Sequence, residues 1–355
     1  MKTLLKPFEY YPSLQEDIVT TLFFMEFYRI DFYADPKTHV LSIIEVNTSP
    51  GALPEHAFID SFLSGIVDTT PPAGMHRANA KGVLEAFDRY LKRVGRKNAK
   101  YFGLIIREEG SFASLPDARM HADELRKHTS YEPVFCTLDQ GTVLDLFQDE
   151  PQPISSISDL DILYVNPGSS LKNRDAFTHW LKLQKITLLP PRSNLLFTNK
   201  SFLTTLGRTV DSLQTLDERE RKVLKDALIP SFALADLEQH LDLMRSWEGV
   251  VVKRDLGSSG INVHVYRHAQ MPPEDILEHV RALKKEGDLQ QETWTVQAYR
   301  EPSSVLIDGK PSFFEIMVYT VMTPTPSVLF ATRTFQGDKA NTHFGAHYGN
   351  LCRLS

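Results

Sequence analysis

The chain has 355 residues, of which 42% are hydrophobic, 24% charged and 10% aromatic, and its formal net charge is −6. That length supports more than one packed domain, and the composition excludes a disordered or fibrous chain. The mild negative charge gives no bulk attraction to nucleic acid or to an anionic membrane, so an anionic ligand must be held by local cations.

Two cysteines, Cys136 and Cys352, fit a reducing compartment better than a disulfide-stapled domain. The opening residues lack the long apolar core of a signal peptide, and no apolar run approaches the length of a membrane span. A cytoplasmic protein is expected.

In chain order, residues 27–33 are rich in aromatic and β-branched types and predict a strand. The Ala34–Thr38 cluster predicts a turn and residues 40–47 a second strand, so the two form a hairpin. Residues 55–67 are expected to be helical. Val83, Leu84, Phe87, Tyr90, Leu91 and Val94 recur at helical spacing and predict a helix over 77–95. Strands at 101–106, 134–138 and 160–165, with a helix at 116–128 between the first two, predict a small parallel α/β domain near 98–190. It has no Gly-x-Gly-x-x-Gly after its first strand, so a dinucleotide site of the usual kind is unsupported. A helix then begins near Asn199, and a charged one follows over 217–226. Strands at 249–254 and 263–266 flank the loop Leu256–Gly260, an amphipathic helix spans 273–287, and several strands fill 293–335. The loop at 69–74 and the segment 188–192 divide the chain into parts 1–75, 76–190 and 191–355.

Five stretches could carry chemistry. In a strand, residues two apart face the same way, so Glu45 and Asn47 project together, as do Arg29 and Asp31 on the strand before. A carboxylate beside an amide oxygen offers hard ligands for Mg²⁺, and Asp31 joins them if the hairpin register brings it to their face, which the sequence leaves open. The apolar strand Gly249–Val252 delivers Lys253 to a loop containing Ser258 and Ser259. Small residues there let backbone N–H groups approach phosphate oxygens, and the lysine adds positive charge, although the order is not that of a Walker loop. Lys200 opens its helix as a second candidate for phosphate. Gln297, Ala298 and Tyr299 end a strand that could offer backbone groups to adenine, with Glu301 placed for ribose hydroxyls. Arg333 could neutralise a transferring phosphoryl group, and Asn341 could add a metal or phosphate contact. Each alone is as easily a solvated strand end or helix turn; together they form an ordered set.

Read in the order 200, 253, 297–301, 315, 333–341 and then 29–47, that set resembles the ATP-grasp superfamily. The run Arg29-Ile30-Asp31-Phe32 with Ile44-Glu45-Val46-Asn47-Thr48, at the N-terminus instead of the end, is similar to its circularly permuted branch, which includes eukaryotic-type glutathione synthetase and glutathionylspermidine synthetase. The resemblance implies an α+β fold with an α/β subdomain. Two α+β subdomains would grip ATP, a small parallel-sheet domain would lie on the substrate side, and the N-terminal hairpin would complete the grasp core. It implies Lys200 and Lys253 on ATP phosphates, Gln297–Tyr299 at the adenine, Glu45 and Asn47 on Mg²⁺ with Asp31 joining them, and Arg333 near a reacting acyl phosphate. The loop after Lys253 departs from the branch: Ser258-Ser259 stand where it carries a richer glycine run with an acidic metal ligand, and Asp255 is displaced from that point.

The implied reaction is ATP- and Mg²⁺-dependent ligation of a small carboxylate to an amine, such as an amino acid, peptide or polyamine. Neither nucleic acid nor membrane is an expected partner, and the short run before the hairpin leaves room for a second subunit, as in a homodimer, to complete the fold. A small-molecule kinase on the same scaffold and a non-catalytic ATP-binding protein are the alternatives. His343 and His347 are spaced as a helical zinc pair, but Gly345 and Gly349 argue against a helix there.

Overall fold

A computed structural model describes residues 27–38, 40–48, 71, 75–96, 100–106, 114–137, 161–164, 186–189, 191–256, 262–322, 326–337 and 347–350. The helix expected at 55–67 and most of the 256–260 loop lie outside them.

The hairpin strands are β1 (Phe27–Ala34) and β2 (Leu41–Asn47). Asp35 shapes their turn by accepting the backbone N–H groups of Lys37 and Thr38, the behaviour that favours aspartate in turns. A two-residue strand, β3 (His76–Arg77), precedes helix α1 (Ala80–Arg93). Asn79 caps α1 by accepting from Gly82 N, and Lys92 and Arg93 complement its C-terminal dipole. Strand β4 (Tyr101–Ile106), helix α2 (Ser114–His128) and strands β5 (Glu132–Thr137), β6 (Ile162–Tyr164) and β7 (Thr187–Leu189) follow. Helix α3 (Lys200–Thr209) starts at an Asn199 cap, and α4 (Glu218–Ala227) at a reciprocal Asp217–Glu220 capping box. Then come β8 (Ser231–Ala233), β9 (Gly249–Arg254), β10 (Val263–Arg267), helix α5 (Pro273–Gln290) and β11 (Trp294–Ala298). The strands β12 (Ser304–Ile307), β13 (Lys310–Val321), β14 (Ser327–Phe335) and β15 (His347–Asn350) follow. His347 begins a strand and not a helix, as its neighbouring glycines suggested.

These strands form three sheets. The largest runs β15-β14-β13-β1-β2, with β12 beside β13 and β3 beside β14. The N-terminal hairpin is therefore sewn onto strands from the last quarter of the chain. The second sheet, β10-β9-β11-β8, is antiparallel. The third, β5-β4-β6-β7, is wholly parallel, as the strand–helix alternation predicted.

Among the described residues, two apolar cores pack against the sheets. Phe27, Met317, Tyr319, Val321, Leu329 and Ala331 from the large sheet pack with Val83, Phe87 and Leu91 of α1 and with Phe102 and Ile162 of the parallel sheet. In the second core, Val250, Val252, Trp294 and Val296 meet Ile276, Leu277, Val280 and Leu283 of α5. Alternation then sends Val251, Lys253, Thr295 and Gln297 to the other face of that sheet. Close packing begins at Gly249, where a Cβ would stand 2.3 Å from the Tyr266 carbonyl oxygen, so only glycine fits.

Candidate active site

The hairpin pairs Arg29 with Asn47 and Asp31 with Glu45. Directly opposed residues share a face, as do residues two apart, so all four polar side chains stand together and the open question of register is answered. Just past that pair the ladder slips: Phe32 faces Ile43, and Ile44 has no partner on β1. Such bulges re-aim local groups near functional sites. Here the Ile44 carbonyl accepts a hydrogen bond from Lys253 Nζ at 3.3 Å.

The hairpin acids are densely bonded. Arg29 donates to both Asp31 oxygens at 2.7 Å, through Nε and a terminal nitrogen. Asn47 Nδ2 donates to Asp31 Oδ2 at 3.1 Å and to Glu45 Oε1 at 3.0 Å. Lys200 Nζ donates to Glu45 Oε2 at 2.7 Å. Burial would raise the Glu45 carboxyl, but the Lys200 charge, hydrogen bonds from Asn47 and Lys200, and the Lys253 charge hold it well below the usual carboxylate range. Asp31, with no exposed surface, is raised by burial in spite of Arg29.

Lys200 reaches the hairpin because its helix start is fixed on both sides. Asn199 Oδ1 accepts from Ser201 N and Ser201 Oγ. Thr48 and Thr198 join hydroxyls at 2.7 Å, tying the end of β2 to the turn before α3. Lys200 N donates to the Asp255 carbonyl at 3.1 Å, which ties α3 to the end of β9. Asp255 is buried, accepts from Thr295 Oγ1 at 2.6 Å, and is pushed up to about 6 by that burial. It thus stands between the two lysine-bearing elements. Lys253 is 6% exposed, and burial, helped by the like charge of Lys200, lowers its ammonium to about 8.

Across β13 and β14, Glu315 pairs with Arg333, and Arg333 also lies 3.7 Å from Asp31 Oδ2. Burial pushes Glu315 up despite that arginine. The sequence places position 315 in the ordered motif set without giving it a role, and it does not single out Tyr33. The signal for Glu315 was a charge on the same face as Met317 and Tyr319 in an alternating strand. For Tyr33 it was the two-residue spacing from Asp31. Burial raises the Tyr33 phenol, and the nearby Glu315 carboxylate raises it further, so it is a neutral hydroxyl beside the arginine–carboxylate pair.

Gln297 and Ala298 lie in β11, and Tyr299 follows it; all three are buried. Ala298 N donates to the Pro230 carbonyl and Tyr299 N to that of Gly249, each at 2.9 Å. Two backbone donors of this strand end are therefore already committed to the sheet. Tyr299 OH donates to Glu301 at 2.6 Å, and the Arg267 guanidinium lies 4.8 Å from the Tyr299 ring centre. Ser258, Ser259 and Asn341 lie outside the described residues.

Among the described residues, no group of three His, Cys, Asp or Glu is placed to hold a metal ion. A site with one or two carboxylates, an amide oxygen and substrate phosphates suits Mg²⁺ without such a group. Glu45 and Asn47 match that donor set, with Asp31 adjoining. The ammonium seated on Glu45 marks the position as one that draws a cation. Asn47 now turns its nitrogen to the acids; a half-turn of the amide would present its oxygen.

Comparison of the sequence with known protein families finds no match, and neither does comparison with curated proteins. Solved structures do share its fold. A glutathione synthetase-like effector from Globodera pallida, in apo form, superposes with a TM-score of 0.55 at 12% identity, covering 99% of this chain and 84% of that one. A candidate gamma-glutamylcysteine synthetase from Methylobacillus flagellatus KT gives 0.52 at 12% identity, covering 99% and 86%. The likeness to these two structures is one of fold.

Among the described residues, no helix is long and apolar enough to cross a membrane.

Proposed function

We propose that the chain is a Mg²⁺- and ATP-dependent carboxylate–amine ligase, with its grasp core circularly permuted so that residues 1–75 complete a core formed by 191–355, and with 76–190 on the substrate side. The observation that carries this reading is the meeting of Lys200 and Lys253 with the hairpin. Lys200 stands on Glu45 at 2.7 Å and Lys253 on the Ile44 carbonyl at 3.3 Å. Residues 155 and 209 positions apart converge on one polar face, where buried charge would be costly without a ligand to serve.

A carboxylate does not react with an amine at neutral pH because oxide leaves poorly. Its oxygen instead attacks the γ-phosphorus of ATP and ADP departs, leaving an acyl phosphate. The amine then attacks the acyl carbon and phosphate leaves with the bonding pair. Such transfer needs positioning and charge stabilisation more than covalent help. Lys200 and Lys253 would hold phosphate oxygens, Arg333 would face the transferred phosphoryl group, and Gln297 to Tyr299 with Glu301 would seat the nucleoside. Glu45 and Asn47, with Asp31, would hold Mg²⁺, which supplies neutralising charge to the phosphates when bound.

An ADP-release screen over paired amino acids, small peptides and polyamines tests the reading. Turnover is expected only when acid and amine are both present. ADP formed with a hydroxyl acceptor alone would replace ligation by a kinase, and no turnover across the screen, with no nucleotide bound, would remove the enzyme assignment.

A further inference from the structure

We propose that Lys200 makes the hairpin site selective for a divalent cation that arrives with a polyphosphate, by holding Glu45 against the free cation until phosphate oxygens draw the lysine away. This selectivity presupposes the nucleotide site proposed above and adds an order of binding to it.

Every carboxylate oxygen of the hairpin pair is already engaged by a nitrogen of the chain. Asp31 Oδ1 has Arg29, Asp31 Oδ2 has Arg29 and Asn47, Glu45 Oε1 has Asn47, and Glu45 Oε2 has Lys200. Of these donors only Lys200 carries its charge to Glu45 at hydrogen-bond distance; Arg29 is 3.9 Å from it. The Lys200 side chain is 9% exposed and that of Glu45 26%, so the pair is partly shielded and stronger than a fully exposed ion pair. A free divalent cation entering here must displace that ammonium and then sit beside both it and Lys253, with no negative charge added. A polyphosphate changes each of these conditions. Its oxygens offer both lysines better counter-charge, vacate Glu45 Oε2, and carry the cation in. Cation and nucleotide therefore strengthen each other's binding, and by linkage each does so by the same factor.

Two arrangements of Lys200 make this testable without turnover. Mn²⁺ is titrated into the full chain and free Mn²⁺ is read by electron paramagnetic resonance, with and without a non-hydrolysable ATP analogue. The wild type should bind Mn²⁺ alone at least about 10-fold more weakly than with the analogue. Lys200→Met, which keeps the apolar stem, and Lys200→Gln should bind Mn²⁺ alone about 10-fold more tightly than the wild type. Lys200→Arg should behave as the wild type, and Glu45→Gln should cancel the gain in the Lys200→Met background. Wild type that binds Mn²⁺ alone as tightly as with the analogue overturns the proposal, as do Lys200→Met and Lys200→Gln chains that gain nothing. Failure of the nucleotide reading shows separately, as analogue that does not bind in calorimetry at any Mn²⁺ concentration, and then the Mn²⁺-alone arm still decides whether Lys200 guards Glu45.

Discussion

The parallel sheet and the two mainly antiparallel sheets treat their described ionisable side chains in opposite ways. Where side chains of the parallel sheet are described, the buried ones are Phe102, Pro133, Ile162 and Leu189. Its described acids stay at the rim: Glu132 is exposed at the start of β5, and Asp161, just before β6, accepts the backbone N–H groups of Lys100 and Tyr101. The antiparallel sheets bury Asp31, Lys253, Glu315 and Arg333, with Asp255 at the end of β9. Along β1 alone, one face changes from the apolar core at Phe27 to a charge network at Asp31. A buried ion pair is weak support for stability, because apolar residues of the same shape would often serve as well or better. Packing accounts for the described part of the parallel sheet, whereas the charged face is the part that the proposed nucleotide site would account for.

That contrast can be broken in graded steps. Glu45→Gln and Lys253→Ala should each lower ADP release at least about 100-fold, the scale of losing one positioned charge in an active site. Circular dichroism should stay unchanged; equal loss of fold would make these residues structural. Next, Arg333→Met alone should cost about 3–5 kcal/mol in denaturant unfolding, because it strands Glu315 and part of Asp31. Pairing it with Glu315→Leu should recover much of that loss, and a double variant no better than the single one would show that Arg333 acts elsewhere.

A smaller effect is expected at Asp255. Its carboxyl is raised from 3.8 to about 6 in the fold, so the native state holds the proton more tightly than the unfolded chain. The stability it contributes is complete below pH 3.8 and lost as pH rises through about 6. Relative to Asp255→Asn, the wild type should gain on the order of 2 kcal/mol as pH falls from about 7.5 to about 4.5. A flat difference would deny the burial. At the far end of the scale, Lys222, 75% exposed and paired to Asp226, should tolerate alanine with no measurable shift in Tm, as isolated surface pairs do.

Much of this architecture could be read from residue pattern, because local rules decide it. The two-residue alternation of Arg29–Asp31 and Glu45–Asn47 announces a polar strand face, Asn199 announces a helix start, and the apolar run before Lys253 announces a buried strand. Register and convergence were not legible. Asp31 meets Glu45 only because the ladder is regular up to that pair and slips after it, and no periodicity encodes where a bulge falls. Glu315 carried a visible signal, a charge in a buried alternation, but its partner is Arg333 on another strand. Asp255 looked displaced from a ligand position. It is instead the joint between β9 and α3, where its carbonyl takes the Lys200 N–H.

Calorimetric titration of a non-hydrolysable ATP analogue with Mg²⁺ puts the shared-face claim to its most direct test, using wild type, Glu45→Gln, Lys253→Ala and the double variant. One analogue per chain should bind the wild type, each single variant should weaken it at least about 10-fold, and the double variant should fall short of the product of the two, since the charges of Glu45 and Lys253 act on one another. An analogue that binds the wild type no better than the double variant would contradict the claim that these sheets share a nucleotide site.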